Sequence, residues 1–101
     1  MVNDYGSGSS VTVGAATVTT VLPARVGNNR RTAFAISNYG ANSVYIVCSD
    51  YQQAATGYGI LLLANSVFSD SDSGGYQCWS GNITAYSAAG TTLSVQERVM
   101  M

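Results

Sequence analysis

The sequence predicts an all-β domain: a single β-sandwich of seven to eight short antiparallel strands, with jelly-roll or immunoglobulin-like connections. Three observations point there. Apolar and β-branched residues alternate with polar ones in short runs, the two-residue period of a half-buried strand. Clusters of Gly, Asn, Asp and Ser interrupt those runs roughly every 8–12 residues, the turn spacing of a sandwich. No stretch carries the apolar period of a capped helix, and residues 54–58 have room for one helical turn at most.

Residues 1–10 are mostly Gly, Ser, Asn and Asp around Tyr5, a composition that buries too little to order itself. They read as a flexible N-terminal arm, with the sandwich domain over residues 11–101. Val11 and Val13 flank Thr12 in the first alternation. Residues 17–22 are rich in β-branched side chains and stop at Pro23. A turn at 27–29 leads to residues 31–37, which place Phe34 and Ile36 on one face. A second turn, 38–42, precedes residues 43–48, apolar on both faces and therefore central. After a polar loop over 50–59 come short strands at 60–63 and 66–69, separated by Ala64 and Asn65. The loop 70–75 is acidic and glycine-rich, and residues 76–79 lead into a strand over 82–86. The last strand spans 91–99, with Leu93, Val95 and Val99 inward and an apolar end at Met100 and Met101.

Composition excludes more than it selects. Charged residues are 9% of the 101, against a usual level of about 25%. There is no His, and all four basic residues are Arg. Nucleophilic catalysis by Ser or Cys therefore lacks its usual base, and the chain is expected not to be an enzyme. Four scattered Arg and a net charge of −1 do not make a nucleic-acid surface. No apolar run approaches a membrane span, and no secretory signal is visible. Cys48 and Cys78 lack zinc-site spacing and are expected to be reduced. Asp70, Ser71, Asp72, Ser73 and Gly74 resemble the start of a calcium loop but lack its third ligand and terminal Glu. Nothing in the spacing of Asp50, Asp70 and Asp72 specifies a glycosidase pair. No cofactor, metal site or catalytic residue is expected.

What remains is a surface. Tyr39, Tyr51 and Tyr58 fall in predicted loops, where exposed aromatics stack on sugars or anchor interfaces. Arg30 and Arg31 open a strand. They bridge to carboxylates of a neighbouring subunit, or pair internally with Asp50 or Glu97. With Tyr5, Met100 and Met101 these residues form the candidate interface. A surface of Ser, Thr, Asn, Gly and Tyr leaves sheet edges unprotected and suits a chain packed against others.

The order of motifs completes the reading. Arg31-Thr32-Ala33-Phe34-Ala35-Ile36-Ser37-Asn38 is followed by Gly40-Ala41-Asn42-Ser43-Val44-Tyr45-Ile46 and by Gly59-Ile60-Leu61-Leu62. Then come Trp79-Ser80-Gly81-Asn82-Ile83-Thr84-Ala85-Tyr86 and Ala89-Gly90-Thr91-Thr92-Leu93-Ser94-Val95. This series resembles small β-sandwich structural proteins of tailed bacteriophages. The resemblance implies a capsid decoration (cement) protein of the virion surface, assembled in the host cytoplasm. Its partners would be the major capsid protein and two further copies of itself, in a homotrimer. The alternative is a tail, fibre-associated or head–tail accessory module that touches the host surface or a sugar.

Overall fold

The computed structural model describes residues 4–25 and 27–100. They form β1 (Asp4–Val13), β2 (Thr19–Leu22), a 3-10 turn (Gly27–Asn29), β3 (Arg31–Asn38), β4 (Val44–Cys48), β5 (Ile60–Leu62), β6 (Ser66–Ser71), β7 (Ile83–Tyr86) and β8 (Thr91–Met100). The eight strands make two four-stranded sheets, ordered β1-β8-β3-β6 and β2-β7-β4-β5. Every pairing between named strands is antiparallel.

The connectivity is that of a jelly roll. β1 pairs with β8, β2 with β7, β3 with β6 and β4 with β5. These nested pairs are the signature of one long antiparallel ribbon folded over on itself. An immunoglobulin-like sandwich keeps its first two strands side by side in one sheet. Here β1 and β2 lie in different sheets, which removes that half of the expectation.

The core lies between the sheets and is built by alternation. In β3 the buried positions include Phe34, Ile36 and Asn38, and in β8 they are Thr91, Leu93, Val95 and Glu97. The opposite sheet supplies Val21, Leu22, Val44, Ile46, Leu62, Ile83 and Ala85. Phe34 and Phe68 meet edge to face, with ring centroids 5.5 Å apart. β4 is internal, as its apolar composition on both faces predicts. One end of the core is closed by a neutral polar cluster. Asn38 donates from Nδ2 to the carbonyls of Asn42 (2.8 Å) and Leu62 (3.1 Å) and accepts from Thr91 Oγ1 (2.7 Å). No buried side-chain nitrogen or oxygen among the described residues lacks a partner.

Two bulges set which side chains face inward. Thr20 opposes Thr84, yet Leu22 opposes Ile83, so both Val21 and Leu22 reach the core. In the other sheet Arg31 opposes Val99 and Ala33 opposes Arg98, leaving Thr32 as the extra residue. Strict alternation would place Arg31 outside with Ala33 and Ala35. The bulge turns it inward.

Two expectations are corrected. The arm expected over residues 1–10 is, over residues 4–10, the first part of β1, in register from Asp4 opposite Met100 to Ser10 opposite Ser94. Gly and Ser offer no apolar alternation, but a ladder of backbone hydrogen bonds needs none. Residues 1–3 and Met101 lie outside the described residues. Residues 76–79, which lead into β7 as expected, make a single bridge from Ser73 to Tyr76, and the N–H groups of Cys78 and Trp79 donate to the carboxylates of Asp72 and Asp70. β8 continues through Met100, and Glu97 occupies an inner position between Val95 and Val99.

Deleting residues 1–10 removes seven of the ten β1–β8 register pairs and bares the edge of β8. The truncated chain should unfold at a lower urea concentration and aggregate more readily than the full chain. Equilibrium unfolding followed by Trp79 fluorescence checks this; an unchanged midpoint would mean that residues 4–10 add nothing to stability.

Candidate functional site

Beneath the surface, the end of the core opposite Asn38 is ionic. Glu97 is 5% exposed and accepts from Arg31 Nε at 3.0 Å on one oxygen and from Arg25 Nη2 on the other. Arg31 is fully buried. Its remaining bonds go to the carbonyls of Trp79 (3.2 Å), Gly81 (3.0 Å) and Pro23 (2.6 Å). Its guanidinium carbon also lies 5.9 Å from the centre of the Phe34 ring. Arg31 is thus no interface residue. Of the partners weighed for it, Glu97 is the one the fold brings to it and Asp50 is not. Burial pushes the Glu97 carboxyl up, but hydrogen bonds from Arg25 and Arg31 outweigh that and hold it below the usual carboxylate range.

A second set of carboxylates organises the segment after β6. Asp72 receives Arg30 through both oxygens (3.1 and 2.6 Å) and the Cys78 N–H (2.8 Å). Arg30, with Cys78, lowers the Asp72 pKa. Asp70 accepts from the Trp79 N–H (3.2 Å) and the Tyr76 hydroxyl (3.0 Å), and Asp50 accepts from the Asn82 N–H (2.8 Å). These are loop-fixing roles. Among the described residues no three His, Cys, Asp or Glu side chains are grouped to hold a metal ion.

The remaining candidates are spread over the molecule. Tyr39 is exposed, with its hydroxyl 3.0 Å from Ser10 Oγ. Tyr51 is fully exposed and Tyr58 more than half so. Met100 is half-buried beside Arg30, Asp72 and Arg98. Tyr5 opposes Val99 in the β1–β8 ladder. Met101 lies outside the described residues. These residues do not form one patch.

Instead, an apolar edge emerges that sequence reasoning named only at Tyr58. β5 and β6 end their respective sheets, so each pairs on one side only. Tyr58, Ile60, Leu61, Leu63 and Val67 are between 41% and 62% exposed along these strands and their flanks. From residue 51 to residue 69 the chain has no charged residue. Gly59 makes the approach possible: at φ 93° it lies so close to β4 that a Cβ would come 2.3 Å from the Ile46 carbonyl oxygen. The signal was present in the sequence as an uncharged stretch; that both strands are edges depends on the topology.

With this geometry in hand, comparison with known proteins finds no family model that matches the chain and no curated protein detectably similar to it.

Cys48 and Cys78 are free thiols, half-buried and buried. Burial pushes each up to about 11, with Asp70 adding to the effect. Both should resist alkylation at about pH 8 in the folded protein and react promptly once urea unfolds it. Mass spectrometry of iodoacetamide-treated protein reads this, and rapid labelling of the native chain would contradict it.

Glu97 binds its proton less readily in the folded protein than in the unfolded chain, where its value is the ordinary 4.5. Its contribution to stability is therefore full above that pH and lost as pH falls through the lowered folded value. Replacing it with Gln should cost about 3 kcal/mol near pH 7, since Arg31 is left buried without a counter-charge. The variant should also lose less stability than wild type on acidification. Urea unfolding at about pH 7 and about pH 3 measures both effects.

Proposed function

We propose that this chain is a structural protein of a virus particle, a capsid decoration protein that acts by adhesion and performs no catalysis. The observation that carries the reading is the apolar edge formed by β5 and the first part of β6. Soluble monomers blunt sheet edges with charge, Pro or cover, and this edge has five exposed large apolar side chains and no charge before Asp70, near the end of β6. Three of the four arginines are held in ion pairs within the domain, so the surface is poor in charge as well. An assembly partner that covers the edge is what such a surface needs.

Two further considerations support the reading. The order of strand and turn motifs over roughly residues 18–97 is read as resembling small structural proteins of tailed bacteriophages. The jelly roll is a fold of viral capsid domains, although lectins and other proteins share it, so it supports the reading without selecting it. On this reading the shell protein is the main partner, and copies of the chain meet as trimers at local threefold points. Symmetry then multiplies weak contacts through effective concentration.

The test is binding to undecorated capsids of the phage that encodes the chain. Wild type should bind and raise the temperature at which particles burst. Leu61→Asp and Leu63→Asp, each at an exposed position, should leave the fold intact and weaken binding by about tenfold or more. Arg30→Ala should weaken it less, and that smaller effect should shrink with salt. A wild-type protein that ignores capsids but sits on tails or host cells would replace this reading with the tail-module one.

A further inference from the structure

The loop after β4 is fixed on its inner side and bare on its outer side. Ser49 Oγ accepts from the N–H groups of Tyr51 and Gln52, both at 3.1 Å. The Ser49 N–H donates to the Asn82 carbonyl at 3.2 Å, and the Asn82 N–H donates back to Asp50 Oδ1 at 2.8 Å. At the far end Ala54 is 1% exposed, and its N–H donates to Thr84 Oγ1 at 2.9 Å. Gly81 admits the close packing: a Cβ there would lie 2.8 Å from both Asp50 carboxylate oxygens. Residues 49–54 are thus an arch anchored at both ends to β7 and the residue before it.

An open cleft of about 530 Å³ lies between this arch and the outer side of β2 and β7. That size is in the range of small-molecule sites. Its walls are polar: Thr20, Asp50, Tyr51, Gln52, Gln53 and Asn82. Tyr51 is 100% exposed. Among the described residues, the side chains of Thr20, Tyr51, Gln52 and Gln53 make no hydrogen bond within the chain, and Asp50 uses only Oδ1. The backbone that presents these groups is pre-organised, so little ordering would oppose binding.

The chemistry of the walls selects a ligand class. The side-chain amides of Gln52 and Gln53 and the Asp50 carboxylate offer paired donors and acceptors, which match adjacent ring hydroxyls. An exposed phenol ring offers an apolar face on which the C–H face of a pyranose can stack. The cleft has one formal charge, the negative Asp50, and no cation, which disfavours phosphates, sulfates and acidic sugars. The geometry points to this cleft as a binding site for a neutral saccharide, with Tyr51 as the stacking platform and Asp50, Gln52 and Gln53 as the hydrogen-bonding groups. It uses none of the apolar side chains of the β5–β6 edge, so it is separate from the proposed capsid contact. Repetition over a particle would raise the avidity of a weak single site.

The experiment is a glycan array with the full chain, followed by NMR titration with the best neutral oligosaccharide of hexose or N-acetylhexosamine. Tyr51→Ala should keep the wild-type circular dichroism spectrum, because the side chain is fully exposed. It should weaken binding by about tenfold, and the double change Gln52→Ala with Gln53→Ala should abolish it. Tyr58→Ala, on the apolar edge, should bind as wild type does. Shifts on titration should centre on residues 49–54 and 82. The proposal is overturned if no neutral saccharide binds at about 10 mM. It is equally overturned if only anionic glycans bind, if an uncharged peptide displaces the sugar from the same residues more tightly, or if Tyr51→Ala binds unchanged.

Discussion

A single buried carboxylate holds one end of this sandwich together. Glu97 on β8 receives Arg31 from β3 and Arg25 from the β2–β3 connection. Arg31 in turn caps the carbonyls of Pro23, Trp79 and Gly81, so four separate stretches of chain converge on one charge pair. Desolvating two ions is costly, and a matched apolar pair would serve stability as well or better. What the ionic arrangement adds is direction. A guanidinium bonded to one carboxylate and three carbonyls admits one geometry, and the loops around it inherit that geometry.

The strands were largely legible because alternation is a property of side chains: this sequence alternates in β3 and β8, and the continuous apolar run of β4 marks an internal strand. What alternation cannot report is a residue added to a strand. Thr32 is such a residue, and it moves Arg31 from the outer face to the inner one. For that reason the sequence leaves the Arg pair between an interface and an internal role, whereas the fold pairs both within the domain and buries Arg31. The opposite case is Glu97. Counting by twos from Leu93 and Val95 reaches it, so its inward position was visible and only its charge argued against it.

Residues 4–10 of β1 were missed for a different reason. Gly6, Ser7, Gly8, Ser9 and Ser10 have almost no side-chain signal, and their strand is defined by the ladder that β8 offers. Likewise Asp50, Asp70 and Asp72 read as solvated loop residues, yet each accepts backbone N–H groups and fixes the loops that follow β4 and β6. Tyr51 was identifiable as an exposed loop aromatic. The arch behind it was not, since it depends on Ser49, Thr84 and Gly81 meeting across the sheet. The apolar edge lies between these cases: the uncharged stretch can be counted in the sequence, whereas its place on two open strands follows only from the order of the sheets.

The nesting of the strand pairs also governs how the chain reaches this state. Val44 and Leu62 are 18 residues apart, Ala33 and Ser71 are 38 apart, Thr19 and Ala85 are 66 apart, and Asp4 and Met100 are 96 apart. Closing the outermost pair first would carry the full entropy of a long loop, and every inner pair would still have to form. Closing the innermost pair first brings the next two strands near one another, so each later closure spans only a short additional stretch. The topology therefore favours zipping outward from β4 and β5, with contacts that are mostly remote in sequence and folding that is slow for a domain of this size. On the ribosome the outermost pairing is the last to become available, because β8 is made after every other strand. Until then the apolar edge of β5 and β6 exists without its finished sandwich, and chaperones or early assembly partners would meet the chain in that form.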